Sequence, residues 1–156
     1  MLMATFFSAE TDMSVADRIP YWLEKLPDGG YLCRFPDLPE FVPEGPSIEK
    51  LLSGLQGGLI TALEERIRSG LPLPQQRPLR AGEEYLSLSP TYSAKLQLIA
   101  SVKEQQISSA ELARRLDCLP QEAARILKLS HPTKIDTIAA AVAAVGGHLV
   151  CRITFD

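Results

Sequence analysis

The chain has little of what would assign it to a class at once. Only 6% of its 156 residues are aromatic, so any core must be mostly aliphatic. Its three cysteines, Cys33, Cys118 and Cys151, are far apart and odd in number. That excludes a disulfide framework and shows no metal-ligand spacing. Each lies in an apolar pattern, so reduced, buried thiols are expected and the expected location is cytoplasmic. No apolar run approaches the ~20 residues that a bilayer-spanning helix needs, so no membrane partner is expected. The opening stretch MLMATFFSAETDM has no basic region and no clear cleavage site, so no signal peptide is expected. Met13 is a possible alternative start, making residues 1–12 an accessory tail. A basic excess is missing too: the net charge is −3, which taken alone argues against a nucleic-acid partner.

The distribution of charge says otherwise. Residues 1–90 carry 8 Lys and Arg against 13 Asp and Glu, a balance of −5. Residues 91–156 carry 8 against 6, a balance of +2, and both histidines. An acidic half joined to a mildly basic half points to two different partners. Hydrophobic residues make up 46% of the chain, enough for one medium domain or two small ones.

The acidic half opens with a hairpin. Ile19–Leu26 reads as a strand, Pro27-Asp28-Gly29-Gly30 as a turn, and Tyr31–Phe35 as a second strand with alternating faces. Phe41-Val42 is expected to form a short third strand. Ser47 caps a long helix, about Ile48–Arg68, with Ile48, Leu51, Leu52, Leu55, Leu59, Leu63 and Ile67 on one stripe. Gly54, Gly57 and Gly58 interrupt it at a cost of ~1 kcal/mol each relative to alanine, so the stripe must pack well. Gly70 ends the helix. A Pro-rich stretch, residues 71–82, leads to a fourth strand at Glu84–Leu88, and Ser89-Pro90 marks a boundary. The expected domains are 18–89 and 91–156.

The second half is organised around Ser108–Leu127, SSAELARRLDCLPQEAARIL, which reads as a helix-turn-helix. Ser108 stands at an N-cap and Glu111 follows at capping-box spacing, which satisfies two free backbone donors. Leu112 and Leu116 make an apolar face, and Ala113 is small where helices must cross. After Asp117-Cys118-Leu119, Pro120 opens a second helix, where its missing N–H costs nothing. Ala123, Ile126 and Leu127 face inward, leaving Gln121, Glu122, Arg125 and Lys128 outside. The motif serves to place one helix in the major groove of DNA; an ordinary helical hairpin is the alternative. A helix of about Tyr92–Lys103 precedes it. One of about Lys134–Val145 follows, with Ile135, Ile138, Ala139, Val142 and Val145 inward. The last segment, HLVCRITF, alternates as a strand. A lone strand ending a helical domain has unpaired edges, so it is expected to pair with its copy in a homodimer or higher homo-oligomer.

The motifs and their order resemble HicB-type antitoxins over about residues 18–155. The resemblance rests on Asp28-Gly29-Gly30-Tyr31, Phe35-Pro36-Asp37-Leu38-Pro39, Gly45 and the helix from Ser47, then Leu71-Pro72-Leu73-Pro74. The AELARRL run, Pro120-Gln121-Glu122 and HPTKID at His131–Asp136 complete it. It implies an α+β chain: a partial RNase H-like sheet with a packed helix, then a helical helix-turn-helix domain ending in a strand. It also implies a HicA-like mRNA-cleaving ribonuclease toxin as one partner, whose active site the antitoxin covers, and operator DNA as the other. Three positions depart from the family pattern. Asp117 replaces a glycine, Leu119 a capping Ser or Thr, and Ser109 a glutamine. Asp tolerates the left-handed conformation such a turn needs.

No catalytic constellation stands out and no cofactor or metal is expected. Glu24, Asp28 and Asp37 lie near strands, but Asp28 belongs to a turn and Asp37 sits between prolines. Arg125 is the foremost candidate to read guanine and Gln121 to read adenine. Arg114, Lys128 and Lys134 are candidates to hold phosphates, with Ser109 and Glu122 on the same face. His131 is either a phosphate contact or a packing residue. Asp37, Glu40 and Glu44 are the candidate toxin contacts. The competing readings are a stand-alone regulator that senses a ligand or protein through its first half, and a metal-dependent nuclease.

Overall fold

A computed structural model describes residues 15–155; the accessory tail suggested for residues 1–12 lies outside them. The chain is α+β, with a four-stranded antiparallel sheet followed by helices. The described elements are β1 (Arg18–Lys25), β2 (Tyr31–Arg34), β3 (Glu44–Gly45), α1 (Ile48–Arg68), β4 (Glu84–Ser87), α2 (Pro90–Glu104), α3 (Ser109–Leu116), α4 (Pro120–Ile126) and α5 (Ile135–Ala144). The sheet order is β3-β2-β1-β4. β1 serves two neighbours with its two halves: Arg18–Tyr21 pair with β4 and Trp22–Lys25 with β2. The β1–β2 turn closes through Gly29 at φ +92, and Asp28 Oδ1 accepts from the Gly30 amide at 3.0 Å. Glycine enters that left-handed region without a Cβ penalty.

Helix α1 starts where Ser47 Oγ accepts from the Lys50 amide at 3.3 Å, and stops at Gly70, φ +69. It buries Leu51, Leu55, Leu59, Ile60 and Leu63 in a core with Ile19, Tyr21, Cys33 and Phe35. Each such aliphatic burial stabilises by about 1.5–3 kcal/mol, which outweighs three glycines at ~1 kcal/mol each. Ile48 and Leu52 stay 39% exposed, so the apolar stripe is narrower than its sequence pattern. Of the three glycines only Gly58 is required by packing. A Cβ there would lie 2.8 Å from Phe41, whereas Gly54 and Gly57 face open space. Gly54→Ala and Gly57→Ala should therefore each raise stability by about 1 kcal/mol in urea denaturation, and Gly58→Ala should not.

Two strands differ from expectation. The third strand is Glu44–Gly45 rather than Phe41-Val42. The Phe41 amide is spent in a turn on the Leu38 carbonyl, 2.9 Å, and the Phe41 ring lies on Gly58, so this residue is not free to join a ladder. The terminal segment 148–155 forms no strand within the chain. A strand exists only as part of a ladder, and this segment pairs with no strand among the described residues. Val150, Ile153 and Phe155 are 81%, 80% and 93% exposed.

Helices α2–α5 enclose a second core of Ala94, Leu98, Val102, Leu112, Ala113, Ala123, Ile126, Ile138, Ala141 and Val145. In α5 it is Ala141 rather than Ala139 that is fully buried. Helix α2 is shared between the cores, with Leu96 and Ile99 in the first and Ala94, Leu98 and Val102 in the second. Among the described residues no helix is long and apolar enough to cross a membrane.

Candidate functional site

Helices α3 and α4 cross at Ala113 and Ala123, 2% and 0% exposed, where small side chains allow close approach. The link between them turns at Asp117, φ 52 and ψ 48, so an aspartate does take the left-handed position. The Cys118 amide closes the turn on the Ala113 carbonyl at 3.0 Å.

The capping box expected at Ser108 is only half formed. Ser108 Oγ accepts from the Glu111 amide at 3.1 Å, but the Glu111 carboxylate turns away to two arginines. Arg114 binds it through Nη2 at 2.6 Å and Nε at 2.9 Å, and Arg115 through Nε at 2.9 Å. These hydrogen bonds hold the Glu111 carboxyl down at about 2. Two charge-assisted partners outcompete one backbone amide. The other half of a box appears one helix later: Leu119 has no side-chain acceptor, yet Glu122 Oε2 accepts from the Leu119 amide at 3.1 Å.

These bonds sort the candidate DNA contacts. Glu122 is exposed but occupied as a cap. Arg114 is exposed and held by Glu111. Arg115 also donates to the Ala144 carbonyl at 3.1 Å, which pins α3 to the end of α5. Ser109, Gln121, Arg125, Lys128 and Lys134 are exposed, and their side chains form no hydrogen bond or ion pair among the described residues. Arg125 and Lys134 line one groove of about 640 Å³ between α4 and the start of α5, together with Thr133 and Thr137. Three cations without a partner among the described residues, Arg125, Lys128 and Lys134, therefore lie on α4 and the loop after it.

The three candidate toxin contacts separate. Asp37 is half-buried and accepts from Arg77 Nε at 3.0 and 3.2 Å. Arg77 reaches on to Glu83 at 2.8 and 2.9 Å, and these hydrogen bonds pull the Glu83 carboxyl down to about 2. Asp37 thus helps to pin the Pro-rich segment. Glu40 is exposed and takes Arg66 Nη1 at 2.8 Å. Glu44 is exposed and unpaired among the described residues. The same residues contain no group of three His, Cys, Asp or Glu placed to hold a metal ion.

One residue escaped the sequence reading. Lys95 is 1% exposed, the one charged residue buried as a whole among the described residues. Its Nζ donates to the His131 carbonyl at 2.5 Å and to Thr133 Oγ1 at 2.7 Å. Burial pushes its ammonium down to about 8, against a smaller opposite pull from Glu64. The signal was present: Tyr92, Lys95, Ile99 and Val102 share one helical stripe at 3–4 spacing. His131 is half-buried and its Nδ1 is enclosed without a hydrogen-bond partner, so the packing reading suits it better than a phosphate contact.

No family model matches the chain. Several curated proteins do, three of them as follows. Antitoxin HicB 2 of Photorhabdus laumondii is 39% identical over 120 residues, 77% of this chain and 85% of its own length. Antitoxin HicB 1 of the same organism is 32% identical over 136 residues, 87% of this chain and 86% of its own. Antitoxin HicB of Escherichia coli K12 is 30% identical over 132 residues, 85% of this chain and 96% of its own.

Proposed function

The chain belongs to the HicB antitoxin family, and from that premise we propose that it is the antitoxin of a type II toxin–antitoxin pair. It neutralises a HicA-like mRNA-cleaving ribonuclease by covering the toxin's active site with its sheet-bearing half. It represses its own operon through a helix-turn-helix formed by α3 and α4. Both actions are steric and need no catalysis. The acidic balance of the first half suits a toxin that binds RNA and is therefore basic. Glu44 is the carboxylate of the original three that stands free for such a partner; Asp37 and Glu40 would have to give up internal pairs.

The observation that carries the DNA half is the α3–α4 pair with its left-handed Asp117 turn, presenting Gln121, Arg125 and Lys128 without partners among the described residues. Arg125 reads a base and Lys128 and Lys134 hold phosphates. A dimer forms by pairing of the exposed, apolar segment 148–155 with its copy, which sets two reading helices one turn of DNA or a multiple apart.

Two measurements test this. The purified protein should shift its own promoter DNA, and Arg125→Ala should weaken that shift by about 10–100-fold. An unchanged shift would remove Arg125 from the reading role. Co-expression with the adjoining small reading frame should rescue growth; a neighbour that is harmless, or toxic and not neutralised, would sink the antitoxin assignment.

A further inference from the structure

The loop between α4 and α5 is held from two sides, by α1 and the sheet-side core and by α2. Leu129, 1% exposed, belongs to the sheet-side core although it follows α4 in sequence. The Ser130 amide donates to Glu64 Oε1 on α1 at 3.3 Å. From α2, Lys95 Nζ takes the His131 carbonyl and Thr133 Oγ1. Lys128 and Lys134, two of the three free cations, flank this clasped segment, and α5 begins directly after it.

An apolar side chain at position 95 would fill the same space without choosing acceptors. A buried ammonium does choose, because it is costly unless its donors are met at defined positions. Glu64, facing it from α1, is the nearby charge that favours its ionised form. The clasp therefore has one arrangement in which the bonds of Lys95 to His131 and Thr133 and of Glu64 to Ser130 are all made, and it joins α1 and α2 to the start of α5.

Resting on the two-partner function above, we infer that Lys95 is a positioning residue. It fixes the attitude of α4 and α5 relative to α1, so that a protein partner bound to the sheet-bearing half changes DNA affinity through the Glu64–Lys95 clasp. A partner that moves α1 draws Glu64 from Ser130, loosens the loop and shifts Lys128 and Lys134 together.

The test uses the full chain, its promoter DNA and the toxin from the adjoining reading frame. Wild-type, Lys95→Met and Thr133→Val proteins are compared by amide exchange at Ser130 and His131, and by operator affinity with and without toxin. Lys95→Met should fold, exchange those two amides about tenfold faster, and reduce a toxin effect of about fivefold or more in wild type to under twofold. Thr133→Val removes one acceptor at nearly constant volume and should do the same in weaker degree; it decides the matter alone if Lys95→Met does not fold. Unchanged exchange overturns the clasp. Faster exchange with an unaltered toxin effect overturns its coupling role while leaving the antitoxin reading intact. A wild type that binds both partners independently does the same. A wild type that binds no DNA defeats the functional reading instead, and exchange alone then decides whether the clasp exists.

Discussion

Removal of residues 150–156 is expected to yield a folded monomer that binds operator DNA ~10²–10⁴-fold more weakly than the intact chain. The size of the effect comes from geometry. Two linked reading heads make the second binding event intramolecular, and separating them forfeits that gain without touching either protein–DNA surface. The fold should be indifferent to the cut. Val150, Ile153 and Phe155 are at least 80% exposed and contribute almost no buried area to the single chain. Leu149 packs partly on the second core and is retained. The circular dichroism spectrum and melting temperature should match those of the intact protein, while sedimentation should report half the mass. A truncated chain that still dimerises would place the interface elsewhere, and one that loses helical signal would show the tail to be part of the fold. A basis for the first outcome is that exposed apolar side chains in a row are uncommon on a monomer and usually mark an interface.

The tail also shows which parts of this chain are legible from sequence. Its alternation of apolar and polar residues is a strand pattern, but it pairs with no strand among the described residues. Local signals fared better. The bounds of α1, Ile48–Arg68, follow from Ser47 and Gly70, because caps act on neighbouring backbone groups. The left-handed Asp117 was readable for the same reason. What distance in sequence hides is pairing. Asp37 and Glu40 look like a free acidic loop until Arg77 and Arg66, 40 and 26 residues away, are found on them. Phe41 has strand propensity, yet its contact with Gly58 and its turn to Leu38 decide its conformation. Glu111 satisfied a local rule in spacing and broke it in fact, since Arg114 and Arg115 offered more. The exposed outer face of α4, with Gln121, Arg125 and Lys128, was legible because it needed only helix periodicity. The pairing of the acidic loop was less legible because carboxylates on loops have many possible partners.

Lys95 supplies the second large effect, and its sign is opposite to that of most ion pairs. Burial depresses its ammonium from 10.5 to about 8, so below that pH the folded chain holds a charge that the unfolded chain solvates better. Between about 8 and 10.5 the folded form has released this proton and the unfolded form has not. The unfolded state then binds more protons, and stability rises with pH across that window. Lys95→Met carries no such group. The stability of wild type minus that of Lys95→Met should therefore climb by ~2 kcal/mol between pH 8 and pH 10.5 and level off above it. The difference is needed because other groups titrate in the opposite sense. Tyr21 is raised by burial and by Glu84, and Cys33 is pushed up to about 12 by burial. Both ionise first in the unfolded chain and lower stability as pH rises, but they do so equally in the two proteins and cancel. Near pH 7 the substitution itself should be neutral or mildly stabilising, since an apolar group of similar length replaces a desolvated charge. The Thr133 hydroxyl already donates to the His131 carbonyl at 3.2 Å and softens the loss of that acceptor's partner. Urea titrations at matched ionic strength would measure the difference curve. A flat curve would mean that water reaches the ammonium and the site is not buried in solution; a falling one would mean that Glu64 outweighs desolvation.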